Sequence, residues 1–381
     1  MELNKVVIAP DSFKGSMSAK EAAEAILRGF SKLYSPATTE YKIIPMADGG
    51  EGTTEALMDA LDAERILVEA HDPIMRPITS VYGYSARHAT AIIELAAASG
   101  LDLLTEEERN PAETTSYGTG ELIKDALDHH AKRLIIGLGG SATNDGGVGM
   151  MQALGVKFLD HSGEEIPCGG LALSQISSID TSALDERLHQ IELIVASDVN
   201  NPLLGEQGAT AIYTEQKGAT LAMKSELESA LTHYHTQLVQ QLNKNVKDRP
   251  GAGAAGGVGA ALIAFLNAEL TRGIDVVLQE THFEKYARDA DLIITGEGQL
   301  DYQSIYGKTP IGVAQIAQRY NIRVIALNGV LGDGYQAVYQ YGIDSVFSIM
   351  QRHVDLNTAL KNGAINLEYT AENVARLLKL S

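Results

Sequence analysis

Near its start the chain reads Lys5-Val6-Val7-Ile8-Ala9-Pro10-Asp11-Ser12-Phe13-Lys14-Gly15-Ser16, a short apolar strand that runs into a polar turn. A capping box follows at Ser18-Ala19-Lys20-Glu21, where Ser and Glu side chains satisfy the free amides of a helix N-terminus. Apolar residues then recur at helical spacing, at Ala22, Ala25, Ile26 and Phe30. This strand, turn and capped helix predict the first unit of a mostly parallel α/β fold.

The same pattern, an apolar strand followed by a loop of glycines and acids, recurs along the chain. These loops include Ala47-Asp48-Gly49-Gly50-Glu51-Gly52, the segment 137–147, Ser197-Asp198 and Gly296-Glu297-Gly298. The carboxyl ends of parallel strands lie at one edge of a sheet, where ligands of open α/β folds bind. Glycines let backbone amides approach an anion, and carboxylates can hold a divalent ion or take a proton. The pattern is typical of an enzyme, and phosphate with Mg²⁺ is the simplest ligand it suits.

Composition limits the class of protein. The 381 residues are enough for two domains, and 45% hydrophobic residues indicate a globular chain. The net charge of −19 argues against nucleic acid or an anionic membrane as partner. With a single cysteine, Cys168, and no signal peptide or membrane-spanning run, the sequence predicts a cytoplasmic protein.

Two nucleotide-binding motifs are incomplete. Gly307-Lys308-Thr309 resembles the end of a phosphate-binding P-loop, but Tyr302 stands where its first glycine belongs. The segment 137–142 matches the dinucleotide fingerprint Gly-x-Gly-x-x-Ala after a strand, yet Asn144-Asp145-Gly146-Gly147 interrupts the place of its helix. A second match, at 251–256, follows a helix and a proline. An NAD-linked hydroxyacid dehydrogenase and a non-catalytic binding protein for an acidic metabolite therefore stay as alternatives to a kinase.

Several long motifs, spread in order over nearly the whole chain, closely resemble those of the bacterial glycerate kinase family. They are Ala9-Pro10-Asp11-Ser12-Phe13-Lys14-Gly15, Met46-Ala47-Asp48-Gly49-Gly50-Glu51-Gly52-Thr53, Thr114-Thr115-Ser116-Tyr117-Gly118-Thr119-Gly120-Glu121-Leu122, 139–149, Ser197-Asp198-Val199-Asn200-Asn201-Pro202-Leu203, 250–257 and Thr295-Gly296-Glu297-Gly298-Gln299-Leu300-Asp301. The chain departs from the family pattern at Thr214-Glu215 and at Met75, both in turns.

The resemblance implies two α/β domains. One is flavodoxin-like, a Rossmann-like parallel sheet formed by residues 1–64 and 286–381, and the other is an α/β domain inserted at 65–285. It also implies ATP- and Mg²⁺-dependent phosphorylation of D-glycerate to 2-phosphoglycerate. The partners are then small molecules, glycerate and ATP, and a homo-oligomer is compatible with these features.

Within this hypothesis, residue types suggest roles. Lys14, Asp48 and Asp145 are the predicted catalytic residues, with a carboxylate taking the hydroxyl proton. Asp198, Glu297 and Asp301 are the predicted Mg²⁺ ligands. The predicted contacts to phosphate or substrate are Asp11, Ser12, Gly15, Ser16, Gly49, Gly50, Glu51, Arg76, Arg109, Gly139, Gly140, Ser141, Asn144, Asn200 and Lys308.

Overall fold

A computed structural model describes residues 2–49 and 52–380. Contacts between Cα atoms divide the chain into two compact units: unit 1 comprises residues 1–60 and 272–381, and unit 2 comprises residues 61–271. The domain boundaries drawn from the sequence at 64/65 and 285/286 stay a prediction. None of the described helices has the length and apolar character needed to cross a membrane.

The elements of the described residues are numbered along the chain. The strands are β1 (Lys5–Ile8), β2 (Glu40–Ile43), β3 (Glu64–His71), β4 (Pro77–Ser85), β5 (Thr90–Glu94), β6 (Arg133–Gly137), β7 (Lys157–Leu159), β8 (Ser178–Asp180), β9 (Glu192–Ala196), β10 (Leu270–Thr271), β11 (Leu292–Thr295), β12 (Gln299–Leu300), β13 (Arg323–Asn328), β14 (Val330–Leu331) and β15 (Ser345–Ser348). The α-helices are α1 (Ala19–Phe30), α2 (Thr53–Leu61), α3 (Ala96–Ser99), α4 (Tyr117–Asp128), α5 (Val148–Ala153), α6 (Ala209–Tyr213), α7 (Leu221–Leu242), α8 (Ala254–Leu266), α9 (Gly273–Glu280), α10 (Phe283–Ala287), α11 (Thr309–Arg319), α12 (Leu356–Lys361) and α13 (Gly363–Leu380). Short 3-10 helices lie at Leu101–Leu103, Glu106–Glu108, Leu171–Gln175, Glu186–His189, Tyr302–Tyr306 and Tyr335–Tyr341.

Unit 1 is built on a five-stranded sheet in the order β15-β13-β11-β1-β2, with every pair parallel. Counted along this unit the order is 2-1-3-4-5, that of flavodoxin-like folds. The predicted capping box is confirmed, since the Ser18 side chain accepts from the Glu21 amide and Glu21 accepts from the Ser18 amide. Ile26 and Phe30 then pack with Leu367 of α13 in the core.

Unit 2 is built on a mixed six-stranded sheet in the order β10-β9-β6-β5-β4-β3. Strands β10, β9, β6 and β5 run parallel, whereas β4 and β3 form an antiparallel hairpin. The hairpin departs from the mostly parallel fold expected from the sequence. Its turn is held by the Asp72 carboxylate, whose Oδ1 accepts from the amides of Ile74 and Arg76, each at 2.9 Å.

Candidate active site

Unit 1 contains a cavity of about 390 Å³ at the carboxyl ends of its strands. Lining residues come from the loops after all five strands, among them Asp11 after β1, Asp48 after β2, Glu297 after β11, Gly329 after β13 and Ile349 after β15. The strand order reverses between β1 and β11, which is where open α/β sheets bind ligands. The cavity also falls within the size range of ligand sites, roughly 300–1,000 Å³.

Asp11 is the most perturbed acid of the cavity and is only 6% exposed. Its Oδ2 accepts from the Thr309 hydroxyl at 2.5 Å and its Oδ1 accepts from the Ser12 amide at 2.6 Å. Burial raises the pKa of the Asp11 carboxyl to about 7, and the charges of Asp48 and Glu297 add to the rise. A cation bound here would favour the ionised form, because it would offset this repulsion.

Glu297 and Lys308 form a partly buried ion pair at the edge of the cavity. Lys308 Nζ lies 3.0 Å from Glu297 Oε2, and the Ser304 hydroxyl donates to Oε1 at 2.9 Å. Burial raises the pKa of Glu297, and the charge of Lys308 opposes the rise. Lys308 is also the N-cap residue of α11, so both groups are held where α11 begins.

The turn after β1 presents Lys14 to the cavity. Phe13 and Met17 pair across it, Gly15 adopts a φ of +73°, and Lys14 is exposed. Lys14 has no carboxylate partner within the described part of the chain. The Ser16 amide, predicted to contact phosphate, instead donates to the Phe13 carbonyl at 2.8 Å, and its hydroxyl donates to the Leu360 carbonyl.

The loop after β2 carries Asp48, which is half-buried and lines the cavity. A Cβ on Gly273 would come within 2.1 Å of Gly49 Cα, so α9 must begin with glycine to lie against this loop. The Gly49 amide donates to the Thr53 hydroxyl at 3.0 Å and is occupied within the loop. The predicted residues Gly50 and Glu51 lie outside the described residues.

Asp301, a predicted Mg²⁺ ligand, serves as a helix cap. Its carboxylate accepts from the Gln303 amide and from the Gln299 side chain, each at 2.9 Å. Asp301 is not among the residues that line the cavity. Its metal role stays a prediction.

In unit 2 the predicted base Asp145 is 1% exposed and fully engaged in hydrogen bonds. Its carboxylate accepts from the Ser116 amide and hydroxyl at 2.8 Å each, from the Thr115 hydroxyl at 3.3 Å, and from the amides of Gly147 and Gly149 at 3.1 and 3.2 Å. These donors lie where α4 and α5 begin. The geometry therefore favours a structural role for Asp145, in which one carboxylate joins two helix N-termini.

Lys217 lies beside this carboxylate and was not singled out by the sequence. It is 2% exposed, and its Nζ donates to the Ser141 hydroxyl and the Thr143 carbonyl, each at 2.7 Å. Burial lowers the pKa of the Lys217 ammonium to about 7, although the Asp145 charge raises it. Its only sequence signal is the neighbouring turn glycine Gly218, which is too common to reveal burial.

The remaining residues of the loop after β6 divide into an exposed and a buried part. Gly139 and Gly140 are exposed, whereas Ser141 and Asn144 are buried. Asn144 Oδ1 has no hydrogen-bond partner in the described chain. The backbone of α8 packs closely on the buried part, since a Cβ on Gly256 would come within 2.0 Å of the Thr143 carbonyl oxygen.

The dinucleotide fingerprint at 137–142 is not supported by this geometry. No helix follows its last residue, because α5 begins only at Val148, after the turn that Asp145 holds. The pyrophosphate of NAD would therefore lack the helix N-terminus that this motif supplies. The second match, at 251–256, runs into left-handed backbone at Ala255, Gly256 and Gly257.

The two arginines predicted to contact phosphate or substrate have different surroundings. Arg76 Nε donates to Asp72 at 2.5 Å, and its other nitrogens donate to Glu108 at 2.7 Å and to the Leu103 carbonyl. Arg109 Nε is buried and has no hydrogen-bond partner in the described chain. An unpaired buried donor is costly, and the substrate contacts of both arginines stay predictions.

Asp198 and Asn200 follow β9 and are exposed. No group of three or more His, Cys, Asp or Glu side chains suited to a metal ion occurs in residues 2–49 and 52–380. The predicted role of Asp198 as a Mg²⁺ ligand is therefore still a prediction, as is the substrate contact of Asn200.

Comparisons with known proteins agree with the resemblance. The family model described as the glycerate kinase family matches residues 6–379. The chain is 50% identical over 373 residues to a glycerate kinase of Halalkalibacterium halodurans, covering 98% of each chain. It is 48% identical to the glycerate 2-kinase of Escherichia coli K12, covering 99% of this chain and 98% of that one.

The same assignment follows from a solved structure. The crystal structure assigned as glycerate kinase 2 from Salmonella typhimurium LT2 matches with a TM-score of 0.90 and 47% identity, over 100% of this chain and 99% of that one. Both α/β units therefore have a counterpart in one known protein. The chain belongs to the glycerate kinase family of phosphotransferase enzymes.

Proposed function

We propose that this protein transfers the γ-phosphoryl group of ATP to the 2-hydroxyl of D-glycerate, in the presence of Mg²⁺, and forms 2-phosphoglycerate. The observation that carries the proposal is the near full-length similarity to the E. coli glycerate 2-kinase. The unit 1 cavity supports it, because lysines and carboxylates lie together at the switch point of an α/β sheet.

Phosphoryl transfer depends on positioning and on neutralising charge at the transferred group. Lys14 is exposed beside the cavity and can place its ammonium against the γ-phosphoryl oxygens. Lys308 supplies a second cation, partly neutralised by Glu297. The bond from phosphorus to the ADP oxygen breaks as the bond to the glycerate oxygen forms.

The hydroxyl proton of glycerate needs an acceptor. Asp145 is a weak candidate, because its carboxylate already accepts from five donors. Asp48 is half-buried and lines the cavity, so it is the carboxylate that we assign as proton acceptor. In unit 2, Arg109 stays a predicted contact of the substrate, and its buried Nε has no hydrogen-bond partner among the described residues.

The acids of the cavity fit Mg²⁺. Asp11, Asp48 and Glu297 repel one another, and carboxylate oxygens are the ligands that Mg²⁺ prefers. In kinases the ion is held through one or two carboxylates and the substrate phosphates, so a complete protein cage is unnecessary. Glu297 and Asp11 would hold it, and the bound ion would neutralise charge on the phosphates.

Phosphorus NMR tests the proposal directly. We expect ATP and D-glycerate to give ADP and one phosphomonoester at the 2-position, with little turnover in excess EDTA. A product carrying phosphate only at the 3-position would contradict the proposed regiochemistry, but the kinase activity would still stand. Absence of glycerate-dependent ADP, or NADH formed from NAD and glycerate, would contradict the kinase itself.

A further inference from the structure

Part of the unit 1 cavity wall is apolar and partly open to solvent. Ile349 forms a buried part of its wall, whereas Val330, Met350 and Leu356 are 49%, 36% and 72% exposed. Val330 begins β14, Ile349 and Met350 follow β15, and Leu356 begins α12. Large apolar side chains gathered at the mouth of a cavity are typical of a ligand contact.

Glycerate cannot account for this surface. It is a three-carbon acid with two hydroxyl groups and has no apolar face, so contact with Val330 and Leu356 would leave its polar atoms unpaired. A purine base has two flat apolar faces and a polar edge. Apolar walls with a few polar groups are what such a ring requires.

The polar groups of the cavity are arranged to suit the rest of a nucleotide. Asn366 of α13 lines the cavity, and its side-chain amide has no hydrogen bond to the described residues, so a donor and an acceptor are available for a base edge. Lys14 and Lys308, which also line the cavity, can meet the phosphates. One cavity thus offers an apolar wall, an unpaired amide and two cations.

We propose that the purine base of ATP binds against Val330, Met350 and Leu356, with its polar edge at Asn366 and its phosphates at Lys14 and Lys308. The assignment rests on the proposed kinase function. It places the nucleotide within unit 1, on residues that follow β13 and β15.

A double variant, Val330→Gln with Leu356→Gln, tests the base site. Val330 is 49% exposed and Leu356 is 72% exposed, so the variant is expected to fold. Isothermal titration with ADP should show affinity about tenfold weaker than wild type, because apolar contact with the base is lost. Binding of inorganic pyrophosphate, which has phosphates and no base, should be unchanged.

The matched control is Leu377→Gln, since Leu377 is 57% exposed on α13 and is not among the residues lining the cavity. It should bind ADP like wild type. If the double variant unfolds, Leu356→Gln alone carries the test, since Leu356 is the most exposed of the three.

Unchanged ADP affinity in the variant, or an equal loss for ADP and pyrophosphate, would overturn the base site. Steady-state kinetics keep this outcome apart from failure of the kinase proposal. The variant should raise the KM for ATP about tenfold and leave the KM for glycerate unchanged. A different result is a wild-type protein that binds ADP, with weaker binding in Leu356→Gln, and yet phosphorylates no glycerate. That result would contradict the proposed substrate and leave the base site in place.

Discussion

Two loops of similar composition, one after β1 and one after β6, have opposite surroundings. In the first, Asp11 lines a cavity and Lys14 is exposed. In the second, Asp145 is 1% exposed and accepts hydrogen bonds within unit 2, and Lys217, which lies between α6 and α7, is 2% exposed and donates to Ser141 of this loop. Each loop pairs glycines with an acid, yet only the first leaves its charged groups accessible to a ligand.

The difference comes from what packs on each loop. The strand order of unit 1 reverses beside β1, which leaves room where the loops separate. In unit 2 the backbone of Gly256 lies against Thr143, and the Gly146 amide donates to the Gly256 carbonyl at 3.0 Å. Acids after strands therefore mark candidate sites, and packing decides which of them can meet a substrate.

The largest expected effect is on turnover in the accessible loop. Lys14→Met should lower kcat about 10²–10³-fold, because one preorganised cation at the transferred phosphoryl group is lost. Its thermal unfolding should match wild type, since Lys14 is exposed and makes no ion pair with the described residues. Lys20→Met is the control, because Lys20 is an exposed lysine of α1 whose Nζ lies 4.0 Å from Asp59. Near-normal turnover in a folded Lys14→Met enzyme would remove Lys14 from the site.

In the buried loop after β6, we expect substitution of the acid to lower stability rather than turnover. Asp145→Asn leaves an amide group facing donors that a carboxylate satisfied, and we expect the free energy of unfolding to fall by about 2–4 kcal/mol. Urea unfolding measures the change. Asp160→Asn is the matched control, since Asp160 accepts three similar bonds in an exposed turn and should lose about 1 kcal/mol or less. An Asp145→Asn protein as stable as wild type but with turnover lost would instead favour the catalytic role.

Much of unit 1 follows from local sequence. The capping box at Ser18 and the apolar strand directly before Gly296 are where the pattern puts them, because both depend on neighbours along the chain. Lys217 could not be found this way, since its partner Ser141 is 76 residues away. The β3–β4 hairpin was also missed, because its turn depends on the Asp72 side chain.

The smallest expected effect is a pH dependence of stability at Lys217. An unfolded lysine titrates near 10.5, whereas burial lowers the pKa of folded Lys217 to about 7. Between these values the unfolded chain holds the proton and the folded protein does not, so this residue's contribution to stability rises with pH and is lost as pH falls through 7.

Lys217→Met should therefore lack this pH dependence, because methionine does not titrate. The difference in the free energy of unfolding, wild type minus variant, should grow by up to ~1.4 kcal/mol between pH 7 and pH 8, as measured by urea unfolding at several pH values in that range. A neutral amine still has two N–H groups for Ser141 and Thr143, so deprotonation removes the cost of the buried charge and keeps both bonds. Lys20→Met is the control, because it removes an exposed lysine from α1. A flat difference for Lys217→Met would mean that folded Lys217 keeps an ordinary pKa, and that the Asp145 carboxylate offsets its burial in full.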